Sequence, residues 1–122
     1  GNPLGAAVSR EALKVLVEED MVRLSADNGA YFLEQLQAVD SKHVKEIRGS
    51  GLFVGVELTE ATGPARPFCE RLKEEGMLCK ETHENVIRIA PVPLYNGFHD
   101  VWRFGRALES WVAADGAGGA VS

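Results

Sequence analysis

Apolar positions along this chain recur at helical spacing, then in alternation, then at helical spacing again. In residues 4–19, Val8, Ala12, Val15 and Leu16 repeat every three or four positions, while Arg10, Glu11, Lys14 and Glu18 fall elsewhere on the surface; this predicts an amphipathic helix. Asn2 is placed to cap it and Pro3 to sit in its first turn. Glu18-Glu19-Asp20 predicts a solvated turn or kink. In residues 21–39, Met21, Leu24, Phe32, Leu36 and Val39 carry the apolar face of a second helix. Asn28-Gly29 weakens its middle, the glycine by about 1 kcal/mol against alanine.

The period then shortens. Val44 and Ile47 begin a short strand, and Arg48-Gly49-Ser50-Gly51 reads as a turn. Leu52, Val54, Val56 and Leu58 alternate with Phe53, Gly55 and Glu57, which is a strand with one buried face. Residues 59–64 form a loop and residues 64–75 a helix, with prolines confined to its first turn and Phe68, Leu72 and Cys69 inward. Gly76 is a left-handed terminator. Residues 77–82 and 86–90 read as strands around a turn at His83-Glu84-Asn85. Asn96 is placed to cap a last helix with Val101, Phe104, Leu108 and Trp111 on one face, and residues 113–122 are a Gly/Ala-rich stretch expected to fray. Strands arrive in pairs, so the expected fold is α+β, a small, mainly antiparallel sheet with helices packed on one face.

Composition narrows the function classes. At 122 residues the chain is one domain's worth, and its net charge of −5 argues against nucleic acid and anionic membranes as partners. No apolar run is long enough to span a bilayer, and no signal-peptide pattern opens the chain, so a cytoplasmic location is expected. Cys69 and Cys79 make no disulfide framework and are expected as reduced thiols. The chain opens Gly1-Asn2-Pro3-Leu4 without an initiator methionine, which suggests processing or a piece of something longer.

One residue stands out chemically. In the strand at residues 86–90, Ile87 and Ile89 point to one face, and Val86, Arg88 and Ala90 to the other. A guanidinium cannot lose its charge, so an arginine set between apolar neighbours near the rigid Pro91 calls for an anion. Two readings fit: a bidentate pair with a substrate carboxylate, or a salt bridge to a glutamate across the sheet with its head in water. Other constellations are weaker. Gly49-x-Gly51-x-x-x-Gly55 precedes a strand instead of following one, so it reads as a tight turn with close backbone approach at Gly55, not as a dinucleotide loop. Among the lysines only Lys80 is a Schiff-base candidate, and a solvated role suits it better. His43, His83 and His99 lack metal-ligand spacing, and local hydrogen bonding is expected of them. Nothing brings Cys79 and His83 together as a thiol–imidazole pair.

Several strings resemble a known family. Gly1-Asn2-Pro3-Leu4-Gly5 resembles the segment after the cofactor lysine of class III, fold-type I aminotransferases. Ile47-Arg48-Gly49-Ser50-Gly51-Leu52-Phe53-Val54-Gly55-Val56-Glu57-Leu58 resembles the start of their C-terminal small domain. Arg71-Leu72-Lys73-Glu74-Glu75-Gly76-Met77-Leu78-Cys79-Lys80-Glu81-Thr82-His83 is similar to bacterial ornithine aminotransferases. The resemblance implies a pyridoxal 5'-phosphate-dependent homodimer that moves the δ-amino group of ornithine to a 2-oxo acid. Residues 1–20 would end the large cofactor domain, 21–114 would form the small domain, and 115–122 a disordered tail. Arg88 matches the family's substrate-carboxylate arginine. No catalytic or metal residue is carried over, and the Schiff-base lysine and phosphate contact would lie before Gly1. The chain alone would be inactive and would bind no cofactor. Its partners would be amino acid and 2-oxo acid substrates, the large domain and a second subunit.

From about Pro91 the string Ile89-Ala90-Pro91-Val92-Pro93-Leu94-Tyr95-Asn96 resembles the C-terminus of kynureninases, whose matching arginine also holds a substrate carboxylate. The alternatives are therefore a kynureninase-type hydrolase piece or a non-catalytic carboxylate-binding module.

Overall fold

The computed structural model describes residues 1–39, 41–93 and 98–115. The elements run α1 (Pro3–Glu18), α2 (Met21–Gln37), β1 (Val44–Ser50), β2 (Phe53–Leu58), α3 (Arg66–Glu74), β3 (Lys80–Thr82), β4 (Val86–Ile89) and α4 (Phe98–Asp115). The strands form one antiparallel sheet in the order β1-β2-β4-β3. This is the expected α+β architecture, with α2, α3 and α4 contributing to the core on one face.

α1 starts as its sequence demands. The Asn2 side-chain oxygen accepts from the backbone N–H of Leu4 at 3.0 Å and of Gly5 at 3.4 Å, and Pro3 occupies the first turn. Asp20, in the left-handed region at φ 50°, breaks the chain between α1 and α2. α2 does not yield at Asn28-Gly29. Both residues are buried, and a Cβ on Gly29 would lie 2.2 Å from the Gly51 carbonyl oxygen. The glycine is the contact that lets α2 lie on the β1–β2 turn, and tertiary packing overrides its low helix propensity.

The turn between β1 and β2 falls later than the pattern suggested. Arg48 and Gly49 are paired strand residues, opposite Gly55 and Val54, and the reversal is made by Gly51 at φ 54°. The close backbone approach is at Gly49, where an added Cβ would come within 2.7 Å of the Phe53 carbonyl oxygen; at Gly55 the nearest atom would be 3.6 Å away. β3 is shorter than the predicted strand at 77–82, because only Lys80, Glu81 and Thr82 find partners on β4. α4 reaches Asp115 and so takes in residues expected to fray. Asn96 and residues 116–122 lie outside the described residues.

The core is made by the positions that the two periods selected. Val54, Val56 and Leu58 of β2, Ile87 and Ile89 of β4, Phe68 and Leu72 of α3, Phe32 and Leu36 of α2, and Phe104 and Leu108 of α4 are buried. Phe104 meets Phe32 edge-to-face at 5.6 Å, and Phe68 meets Trp111 at 4.8 Å, which ties α4 to both other helices of the layer. α1 buries none of its residues.

Candidate functional site

β4 is short, apolar and central, and only one of its four side chains is exposed, that of Arg88. Strand alternation sends Ile87 and Ile89 into the core and Arg88 to the face that α2, α3 and α4 leave open. The register sets a row across that face: Arg48 on β1, Gly55 on β2, Arg88 on β4 and Lys80 on β3. Directly opposed side chains in such a row share a face, with Cβ atoms roughly 4.5–5.5 Å apart.

The cations in the row have different surroundings. Arg48 donates from Nη1 to Glu46 and to Glu57, each at 2.7 Å, and Lys45 donates to the other oxygen of Glu57 at 2.6 Å. The Lys45 and Arg48 hydrogen bonds hold the Glu57 carboxyl below its usual range, and Glu57 in turn raises both bases. Arg88 has no carboxylate neighbour in its row, only Gly55 and Lys80, and among the described residues its guanidinium has no ion pair or hydrogen bond. The salt bridge across the sheet that the sequence left open is therefore made by Arg48, not by Arg88. Lys80 lies 3.9 Å from Glu81, whose carboxylate is engaged by Arg66 at 3.0 Å from the helix side.

The remaining candidates form no second centre. Lys14, Lys42, Lys45, Lys73 and Lys80 are all exposed, and none has the desolvated setting that a Schiff base needs. Cys69 and Cys79 are free thiols hydrogen-bonded to one another; burial pushes both up, Cys79 to about 12, so neither offers a thiolate at neutral pH. His83 pairs with Thr82 at 3.1 Å, His43 with Thr62 at 3.0 Å, and His99 stacks on Trp102. Among the described residues no cluster of His, Cys, Asp or Glu could hold a metal ion, and no helix is long and apolar enough to cross a membrane. A cleft near the end of β4, lined by Met77, Ile89, Pro91, Arg103 and Phe104, does not include Arg88, and its Arg103 donates to the Glu75 carbonyl at 3.1 Å.

Lys80 opposite Arg88 was missed in the sequence. The signal was present in the hairpin: a turn centred on Glu84 places residues four before and four after it face to face.

The family model for aminotransferase class-III matches residues 1–99. An ornithine aminotransferase from Bacillus subtilis is 59% identical over 91 residues, 75% of this chain and 22% of that protein. One from Brevibacillus brevis is 53% identical over 110 residues, 89% of this chain and 27% of that protein. Among solved structures, the ornithine delta-aminotransferase of Plasmodium falciparum superposes with a TM-score of 0.83 at 31% identity, over 92% of this chain and 29% of that one. The chain thus spans about a quarter of the length of the relatives it matches. The family match runs on past Pro91 and so takes in the string similar to kynureninases, of which Leu94, Tyr95 and Asn96 lie outside the described residues.

Proposed function

From the premise that this chain belongs to the aminotransferase class-III family, we propose that it is the small-domain part of an ornithine aminotransferase and that Arg88 binds the substrate carboxylate. The whole enzyme would convert L-ornithine and a 2-oxo acid to glutamate 5-semialdehyde and an amino acid, as a cytoplasmic homodimer. Residues 1–20 would belong to the large domain and residues 21–114 to the small one. That division is supported by an α1 that buries none of its residues, while α2 begins the core at Met21. The family implies pyridoxal 5'-phosphate, but the residues present do not fit it: every lysine is exposed, so the Schiff-base lysine would come from the large domain. This chain alone would have no transaminase activity.

The observation that carries the reading is the guanidinium of Arg88, exposed on the uncovered face of the sheet and without an internal counter-ion among the described residues. Its planar fork suits a carboxylate held by two parallel hydrogen bonds. Such a contact would orient the amino or oxo acid at a fixed point while the chemistry proceeds elsewhere in the molecule. The test is replacement in the holoenzyme, either in its own reading frame or built by joining this chain to the upstream part of the Bacillus subtilis relative. Arg88→Ala should raise the KM for 2-oxoglutarate by a factor equivalent to about 1.5–3 kcal/mol. Arg88→Lys should recover only part of that, because a point charge cannot make the bidentate pair. An unchanged KM would overturn the assignment.

A further inference from the structure

We propose that Lys80 is a second cation of the carboxylate site, set beside Arg88 by the β3–β4 register, and that the gap at Gly55 admits the anion between the strands' side chains. The inference rests on the reading of Arg88 given above. Three observations lead to it. Lys80 and Arg88 are directly paired across the sheet and both are exposed. Like charges opposed in this way destabilise a sheet unless an anion lies between them. The carboxylate beside Lys80, that of Glu81, lies 3.9 Å from it and is held more closely by Arg66, at 3.0 Å from the helix side, so it does not neutralise the pair.

Gly55 is the third observation. Gly29 and Gly49 are glycines because an added Cβ would run into this chain's own backbone, at 2.2 and 2.7 Å. At Gly55 the same atom would meet Val86 at 3.6 Å and the Arg48 carbonyl at 3.9 Å, which is ordinary contact. Among the described residues nothing requires a glycine there. A strand glycine without an internal reason marks a place where something outside comes close. On the other side of Gly55, Arg48 is held by Glu46 and Glu57, which leaves Arg88 and Lys80 as the cations facing the gap.

The two cations would act differently. Arg88 supplies the directional fork, and Lys80 adds a screened point charge that draws the carboxylate in and holds it. The experiment uses the holoenzyme with 2-oxoglutarate as the varied substrate. Lys80→Met should raise KM about fivefold at low ionic strength with kcat unchanged, and the effect should fade as salt is added. Lys80→Glu should raise KM further, and Lys80→Arg should restore it. If Arg88→Ala raises KM while Lys80→Met does not, the role of Lys80 is overturned and that of Arg88 stands. If Arg88→Ala itself leaves KM unchanged, both readings fall. A KM increase in Lys80→Met that persists undiminished in high salt, or is not restored by Lys80→Arg, would overturn the charge-based role.

Discussion

Gly29 and Gly105 look alike in the sequence, each a glycine inside an apolar helical pattern, and the structure gives them opposite meanings. A Cβ on Gly29 would strike the Gly51 carbonyl at 2.2 Å, whereas a Cβ on Gly105 would meet none of the described residues within 4 Å. Gly29→Ala should therefore destabilise the fold by about 1–3 kcal/mol, because α2 must lift off the β1–β2 turn. Gly105→Ala should stabilise it by about 0.5–1 kcal/mol through helix propensity alone. Urea unfolding of the two variants checks the difference in sign. The sequence shows the propensity penalty at both positions. It does not show the contact, since Gly51 is far along the chain and reaches Gly29 only after the hairpin closes. Arg88 is a similar case: alternation told which face it takes, but not that its neighbours would be Gly55 and Lys80 instead of a glutamate.

At the scale of elements, α1 is the one that stands apart. Its apolar residues recur at helical spacing, yet Leu4, Val8, Leu13 and Val17 are more than half exposed. Periodicity specifies that a helix has an apolar stripe, and the stripe's partner is a separate matter. Removing residues 1–18 should change the unfolding free energy of the remainder by no more than about 0.5 kcal/mol, because α1 touches α2 without burying any of its own residues. Denaturant titration of the shortened chain, followed by tryptophan fluorescence from Trp111 against Phe68, checks this; a large loss would mean that α1 supports the core. The strands teach a related lesson. β1 runs into its expected turn and β3 begins later than expected, because a strand extends only as far as its neighbour offers backbone groups to pair.

For the whole molecule, the sheet divides two chemistries: an apolar face under three helices and a charged face open to whatever lies beyond. The charged face should make stability sensitive to acid. Glu57 is held below its usual value of 4.5 in the folded state, so the unfolded chain binds more protons as pH falls. Its contribution is complete above 4.5 and is lost as pH drops through the lower folded-state value. Glu57→Gln should therefore flatten the acid limb of a stability–pH curve measured by thermal unfolding, and the difference from the parent should shrink in high salt. The order of elements, the inward positions, the α+β class and the family could all be read from the sequence, because helical and strand periods are local and the family's strings are contiguous. The tertiary structure alone decided which charges meet. It gave Glu57 to Lys45 and Arg48 and placed Gly55, with no carboxylate, beside Arg88. The hairpin around Glu84 sets Lys80 opposite Arg88 locally, but the Gly55–Arg88 pairing depends on register between strands joined through a helix, which no local spacing encodes.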